Sequence, residues 1–200
     1  MLAREQKYYT PEEYLALEEA AEYRSEYYQG EIFAMSGSSA NHNRIARNLV
    51  IALESAFENK PCESFINDMR LLVKKNGLYT YPNVMVVCGQ IKFVEGRTDT
   101  VTNPVVVIEI LSESTQDYDR GSKFMLYRGL ETLQEYILID QTKIYVEQFR
   151  RLEDGRWILD NLDQTDDLLR IESIDFKISL QQIYRNVDWE EVQTSTSKPS

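Results

Sequence analysis

The segment Pro104–Leu111, PVVVIEIL, constrains the fold of this chain more than any other stretch. Apart from Glu109 it is apolar on both phases of a strand's two-residue period, which predicts a central strand buried on both faces of a sheet. Such a strand needs cover above and below, and two segments have the pattern to supply it. In Ala40–Glu58, Ile45, Leu49, Ala52 or Leu53, and Ala56 or Phe57 recur at helical spacing; in Asp119–Leu130, Phe124, Tyr127 and Leu130 form one apolar stripe, with Asp119 as N-cap. A first helix is expected from Thr10 to about Glu22, with Thr10 as N-cap, Pro11 at the first helical position and Glu13 closing a capping box. A short helix over Ser179–Arg185 closes the domain.

Turn chemistry places the other strands. Gln29-Gly30 splits Ser25–Met35 into a hairpin, and Ser36–Ser39 reads as a loop. Asn76-Gly77 predicts a hairpin of Ser64–Val73 with Leu78–Val87. Glu135–Asp140, Lys143–Arg150 and Arg156–Leu162 read as antiparallel strands, the last two joined at Asp154-Gly155. The order points to an α/β (α+β) fold, a mixed β-sheet flanked by helices. With no repeat or Pro/Gly-rich linker, one domain over residues 1–192 is expected, followed by a disordered polar tail, 193–200.

Composition removes several function classes. No stretch nears the roughly 18 apolar residues of a membrane span, and MLAREQKYYT lacks a signal-peptide core, so a cytoplasmic protein is the default. The single histidine, His42, argues against a His/Cys zinc enzyme, and Cys62 and Cys88 follow neither a metal spacing nor a disulfide framework. The net charge of −11 argues against a protein that coats nucleic acid. That charge is uneven: residues 41–128 hold 11 Lys and Arg against 10 Asp and Glu, and the acidic excess lies in the flanks. An anionic substrate is therefore tolerated only by the middle of the chain.

Three residues in that middle are out of place. Glu109 puts a carboxylate in a buried strand, which costs several kcal/mol unless it is paired or bound to metal. Taken alone, it also fits a strand end that meets solvent. Asn83 follows Pro82 at the start of the apolar run Val84–Cys88, where an Asn ordinarily satisfies nearby backbone. Lys123 lies early in the helix that follows the Glu109 strand, where a lysine is ordinarily solvated.

Together, a polar residue after proline at a strand, a Glu inside a Val-rich strand and a nearby Lys resemble the PD-(D/E)xK nuclease superfamily. Tyr28-Gln29-Gly30-Glu31-Ile32, Asn41-His42-Asn43-Arg44-Ile45, Asp68-Met69-Arg70, Tyr81-Pro82-Asn83-Val84, Glu109–Thr115 and Asp117–Lys123 are similar, in order and spacing, to the Uma-two family of restriction endonucleases. The resemblance implies a restriction-endonuclease-like fold and Mg²⁺-dependent (or Mn²⁺-dependent) hydrolysis of DNA phosphodiester bonds by water. Asn83 and Glu109 would be metal ligands, and Lys123 the catalytic lysine, with Tyr127 one helical turn on. The chain departs from the pattern twice. Leu111 stands where the superfamily lysine would be, two residues after the acid, and Asn83 replaces the aspartate that follows proline. A carboxamide oxygen can ligate Mg²⁺ but brings no charge, so metal affinity should fall.

Other matched residues are weaker candidates. Asp68 could replace the missing carboxylate, or simply pair with Arg70. Glu31 could reach the metal from the hairpin, and His42 could touch phosphate or move a proton, although a histidine there more often caps or packs. Arg44, Arg47, Arg70, Lys74, Lys75, Arg120, Lys123 and Arg128 could form a basic surface for weak, non-specific DNA binding. The Tyr-rich N-terminal part suits packing or a dimer interface, and a homodimer suits cutting both strands of a duplex. Two other readings remain. One is a silent member of the fold kept as a DNA-binding or interaction module, which Asn83 favours. The other is a metal-independent hydrolase, which the lone His42 and the absence of a Gly-x-Ser-x-Gly elbow disfavour.

Overall fold

A computed structural model describes residues 7–35 and 37–190. Ser36 and the polar tail at 193–200 lie outside the described residues. In chain order the elements are α1 (Pro11–Ala20), β1 (Ser25–Tyr28), β2 (Glu31–Ala34), α2 (Ala40–Phe57), β3 (Cys62–Ile66), β4 (Arg70–Val73), β5 (Leu78–Thr80), β6 (Val84–Cys88), β7 (Thr100–Val101) and β8 (Val106–Leu111). There follow α3 (Gln116–Tyr118), a π-helical turn (Asp119–Lys123), α4 (Phe124–Tyr127), β9 (Glu135–Asp140), β10 (Val146–Arg151), β11 (Trp157–Leu162), β12 (Leu168–Ile171), β13 (Phe176–Ser179) and α5 (Leu180–Ile183).

The expected central strand is in place. β8 is buried at every residue and lies inside a six-stranded sheet of order β11-β10-β9-β8-β6-β3, parallel to β9 and antiparallel to β6. Its pleat separates two cores. Val106, Ile108 and Ile110 pack with α2, the β12–β13 hairpin and α5, while Val107 and Leu111 pack with Phe124, Tyr127 and strands β4 and β5. The fold is thus mixed α+β, with helices on the sheet faces and a second, five-stranded sheet of order β2-β1-β5-β4-β7 beside it. No helix among the described residues is long and apolar enough to cross a membrane.

Local signals set several elements as expected. Thr10 caps α1 in a full capping box, and Gln29-Gly30 and Asn76-Gly77 turn their hairpins with Gln29, Gly30 and Gly77 at positive φ. Three expectations are corrected, and one hairpin is added. The runs Ser64–Val73 and Leu78–Val87 each break in two: β3 pairs with β6 in one sheet, and β4 pairs with β5 in the other. The breaks fall at Asn67-Asp68 and at Tyr81-Pro82-Asn83, where the chain crosses between sheets. The helix after β8 begins at Gln116, so Asp119 is an interior residue, its N–H donating to the Thr115 carbonyl. β12 and β13 form an antiparallel hairpin in a stretch with no sequence-based expectation. Finally, Cys62 and Cys88 sit directly opposite each other on β3 and β6 and are joined by a disulfide, which staples the edge strand to the sheet.

Candidate active site

β6 and β8 are adjacent, with Val84 opposite Ile108 and Met85 opposite Val107. One more step along this ladder brings Asn83 opposite Glu109, on the face shared by Val107 and Leu111. The two residues interlock: the Asn83 N–H donates to Glu109 Oε2 (3.2 Å), and the Ile110 N–H donates to Asn83 Oδ1 (2.7 Å). Asn83 thus satisfies backbone, as an Asn at a strand entrance ordinarily does, and its side chain also hydrogen-bonds His42.

The helix that follows β8 lies over this face. Leu111, where the superfamily lysine would stand, is 2% exposed and packs in the apolar core. The lysine comes from the π-helical turn instead. Lys123 Nζ lies 3.0 Å from Glu109 Oε1, and the Tyr127 hydroxyl, one turn on, donates to the same oxygen (2.7 Å). The wide turn also sets Asp119 beside Lys123, with Oδ1 3.4 Å from Nζ.

A further carboxylate comes from the other sheet. Glu26, on β1, holds Lys123 Nζ at 3.0 Å and accepts the hydroxyls of Thr80 (2.5 Å) and Tyr118 (3.1 Å). Lys123, itself buried, thus stands at the centre of Glu26, Glu109 and Asp119. Sequence reasoning missed two of these three acids. A signal for Glu26 was present, since it is a lone carboxylate in the aromatic strand Ser25–Tyr28, the same anomaly that marked Glu109. For Asp119 the signal was its four-residue spacing from Lys123, which the N-cap reading displaced.

Burial pushes Glu109 up to about 7; the ammonium of Lys123 opposes that shift and Asp119 adds to it. Burial also disfavours ionised Glu26, but Lys123, Thr80 and Tyr118 more than offset this and hold it below the usual carboxylate range. Burial disfavours the Lys123 ammonium, yet the surrounding anions raise it well above an ordinary lysine, so it stays charged. His42, on the first turn of α2 with its N–H on the Ser39 cap, is pushed down by burial and lies against the Asn83 side chain.

The cluster floors a cavity of about 1040 Å³, which Asn83, Glu109, Lys123, His42, Tyr118 and Asp68 help to line. Asp68 lies in the turn between β3 and β4, not on a strand, and its exposed carboxylate is 3.6 Å from Arg24 rather than paired with Arg70. Glu31 shares a face of the β1–β2 hairpin with Tyr28, and it is Glu26 that carries the hairpin's carboxylate into the site. Arg70 is corrected as a surface contact: it is 3% exposed, donates to the Tyr81 hydroxyl (2.7 Å) and reaches Asp99 and Thr100. Arg120 is held by Glu147 (2.7 Å) and Gln116 (2.8 Å). Arg47 is exposed on α2 and Arg44 half-buried there, donating to Asn41.

A hard divalent cation prefers an all-oxygen set with negative charge. Glu26, Glu109, Asp119 and the Asn83 carboxamide supply that set, with three formal negative charges against the one positive charge of Lys123. Among the described residues no three His, Cys, Asp or Glu side chains are grouped as a ready metal shell. The ammonium separates the carboxylates. The residues fit Mg²⁺ or Mn²⁺ in chemistry, with Lys123 as the resident cation.

Comparison with known proteins agrees with this architecture. A sequence model of the Uma2 family, described as "Putative restriction endonuclease", matches residues 11–181. Two proteins of Synechocystis sp. are similar along most of their length. One, sll1609, is 41% identical over 162 residues, covering 81% of this chain and 92% of its own; the other, slr1290, is 35% identical over 178 residues, covering 89% and 92%. A crystal structure described as a putative nuclease belonging to DUF820, from Anabaena variabilis, superposes with a TM-score of 0.72 at 23% identity, covering 88% of this chain and 97% of that one. At that identity the likeness is one of fold.

Proposed function

The chain belongs to the Uma2 family, and on that premise we propose that it is a nuclease that hydrolyses phosphodiester bonds of DNA, with water as the nucleophile and Mg²⁺ or Mn²⁺ held by Glu109, Glu26, Asp119 and the Asn83 carboxamide. The observation that carries this reading is the meeting of Asn83, Glu109 and Lys123, from the entrance of β6, from β8 and from the π-helical turn, on the floor of one cavity.

When bound, the ion supplies polarisation of the scissile phosphate and a lower pKa for the attacking water. The protein's own groups do the rest. The Lys123 ammonium, a buried charge, offsets charge that builds on the phosphate oxygens. Lys123 and then Tyr127 favour the ionised form of Glu109, and Glu109, Glu26 and Asp119 keep Lys123 protonated. Agarose-gel nicking of supercoiled plasmid in Mg²⁺ and in Mn²⁺, with Glu109→Ala as control, tests the reading; metal-independent nicking, or nicking that survives Glu109→Ala, refutes it.

The raised pKa of Glu109 gives this reading a pH dependence. Metal binds the ionised carboxylate, and burial holds the proton on Glu109 to about 7. Mn²⁺ affinity is therefore expected to rise with pH through that value and level off above it. Calorimetric titration from about pH 6 to about pH 8 checks the sign, and an affinity flat across that window contradicts it. DNA binding is expected to be weak and steeply salt-dependent, since few basic groups carry it against a net charge of −11. Arg44→Ala with Arg47→Ala should lower the slope of log K on log salt by about 2, read by fluorescence anisotropy.

A second reading, a nuclease fold retained as a binding module, has one specific observation in its favour. Asn83 spends its oxygen on the Ile110 N–H, and Lys123 takes the position among the carboxylates that a cation would use.

A further inference from the structure

The cavity that holds the acid–lysine cluster has a mouth whose chemistry differs from its floor. At the floor, Glu109 and Lys123 are 2% and 5% exposed. At the mouth are two large aromatic side chains that the protein leaves in water, Tyr23 at 78% and Phe33 at 47% exposure, and both line the same cavity. Phe33 is directly opposite Glu26 in the β1–β2 register, so its ring and the Glu26 carboxylate leave the hairpin on one face. An aromatic pair above a phosphate-directed site has an obvious use for a ligand that carries a flat base beside each phosphate.

Charge and shape narrow that ligand. Outside the buried cluster, the described residues that line the cavity include the acids Glu22 and Asp68 and one cation, Arg24, which is 3.6 Å from Asp68. Duplex DNA brings one negative charge for every ~1.7 Å of its axis and needs a basic track to lie on. A single strand has a lower charge density than a duplex, rotates freely about its backbone and offers its bases to aromatic side chains, whereas a duplex keeps its bases stacked on one another.

We propose that the polynucleotide acted on here is single-stranded, entering the cavity backbone first with a base stacked on Tyr23 and Phe33. The inference rests on the nuclease reading above and supplies its substrate class. A stacked base contributes ~1–3 kcal/mol in single-strand binders, about 5-fold to 150-fold in affinity.

Fluorescence anisotropy of the full chain with a labelled oligothymidylate of roughly 12 nucleotides, the corresponding oligouridylate, and a duplex of the same length tests it. At least one of the two single strands should bind about tenfold more tightly than the duplex. Tyr23→Ala combined with Phe33→Ala should weaken that single strand by about tenfold and leave duplex binding unchanged. Both residues are exposed, so the double variant keeps the core intact. Duplex binding as tight as single-strand binding, or no response to the double variant, overturns the inference. A plasmid assay run in parallel separates the two levels. Metal-dependent nicking of duplex that ignores the rim substitutions removes the single-strand proposal alone, and no binding or cleavage of any of these substrates removes the nuclease reading with it.

Discussion

Asn83→Asp is expected to bring Mg²⁺- or Mn²⁺-dependent cleavage to a protein that cleaves slowly at most. The substitution scarcely changes volume, and the position accepts it for a structural reason. Asn83 Oδ1 takes the Ile110 N–H, and a carboxylate oxygen takes that hydrogen bond at least as well. The new charge would face the buried, neutral His42 and draw it toward its protonated form, a compensating pair inside the fold. It also adds to the negative charge around Glu109, which costs stability until a cation arrives. The variant should therefore melt lower than wild type without metal, recover with Mn²⁺, and bind Mn²⁺ at least about tenfold more tightly. Glu109→Ala or Lys123→Ala in the same background should abolish the cleavage. If wild type already cuts at full rate, Glu26 and Asp119, rather than the exposed Asp68, are the carboxylates that stand in for the missing aspartate. If the variant stays inert with both metals on single-stranded and duplex substrates, the binding-module reading prevails.

Lys123→Met should give the largest change in stability. It removes the one cation shared by Glu26, Glu109 and Asp119 and leaves three buried acids facing one another. Breaking a buried ion pair from one side typically costs about 3–5 kcal/mol, or on the order of 10 °C in Tm for a chain of this size. The sign with pH follows from the acids. Without the ammonium, burial raises Glu26 and Glu109 above their values in the unfolded chain, so the loss is small at low pH, where they are protonated, and grows as pH rises through the raised values. Mn²⁺ at about 100 times its Kd should return roughly 2.7 kcal/mol. Thermal melts of wild type and Lys123→Met with and without Mn²⁺ decide the matter. If Mn²⁺ stabilises the variant no more than wild type, Glu26, Glu109 and Asp119 do not form a cation site.

What could be read along the chain was written in short-range spacing. The near-continuous apolar run of Pro104–Leu111 specified a strand buried on both faces, and the rarity of a carboxylate there marked Glu109. Thr10-Pro11-Glu12-Glu13 and Asn76-Gly77 specified a helix start and a turn, because capping and positive φ are decided by neighbouring residues. Lys123 was found only through the resemblance, since helical spacing alone marks it as solvated.

The remainder depended on which elements meet, and no local period encodes that. The break at Tyr81-Pro82-Asn83 sends one apolar run into two sheets, which both sets Asn83 against Glu109 and frees the other sheet to bring Glu26 across. Arg70 was legible as a basic residue but not as a buried one, because Tyr81, Asp99 and Thr100 reach it from separate strands and loops. Cys62 and Cys88 are 26 residues apart in sequence and become a disulfide only because β3 and β6 pair in that register. Residue chemistry and local geometry were determined by the sequence at close range. The charge balance of the site, three acids around one lysine, was decided by tertiary packing, since it joins side chains from β1, β8 and the helix that follows it, and only their packing brings those charges within 3.4 Å of one another's partner.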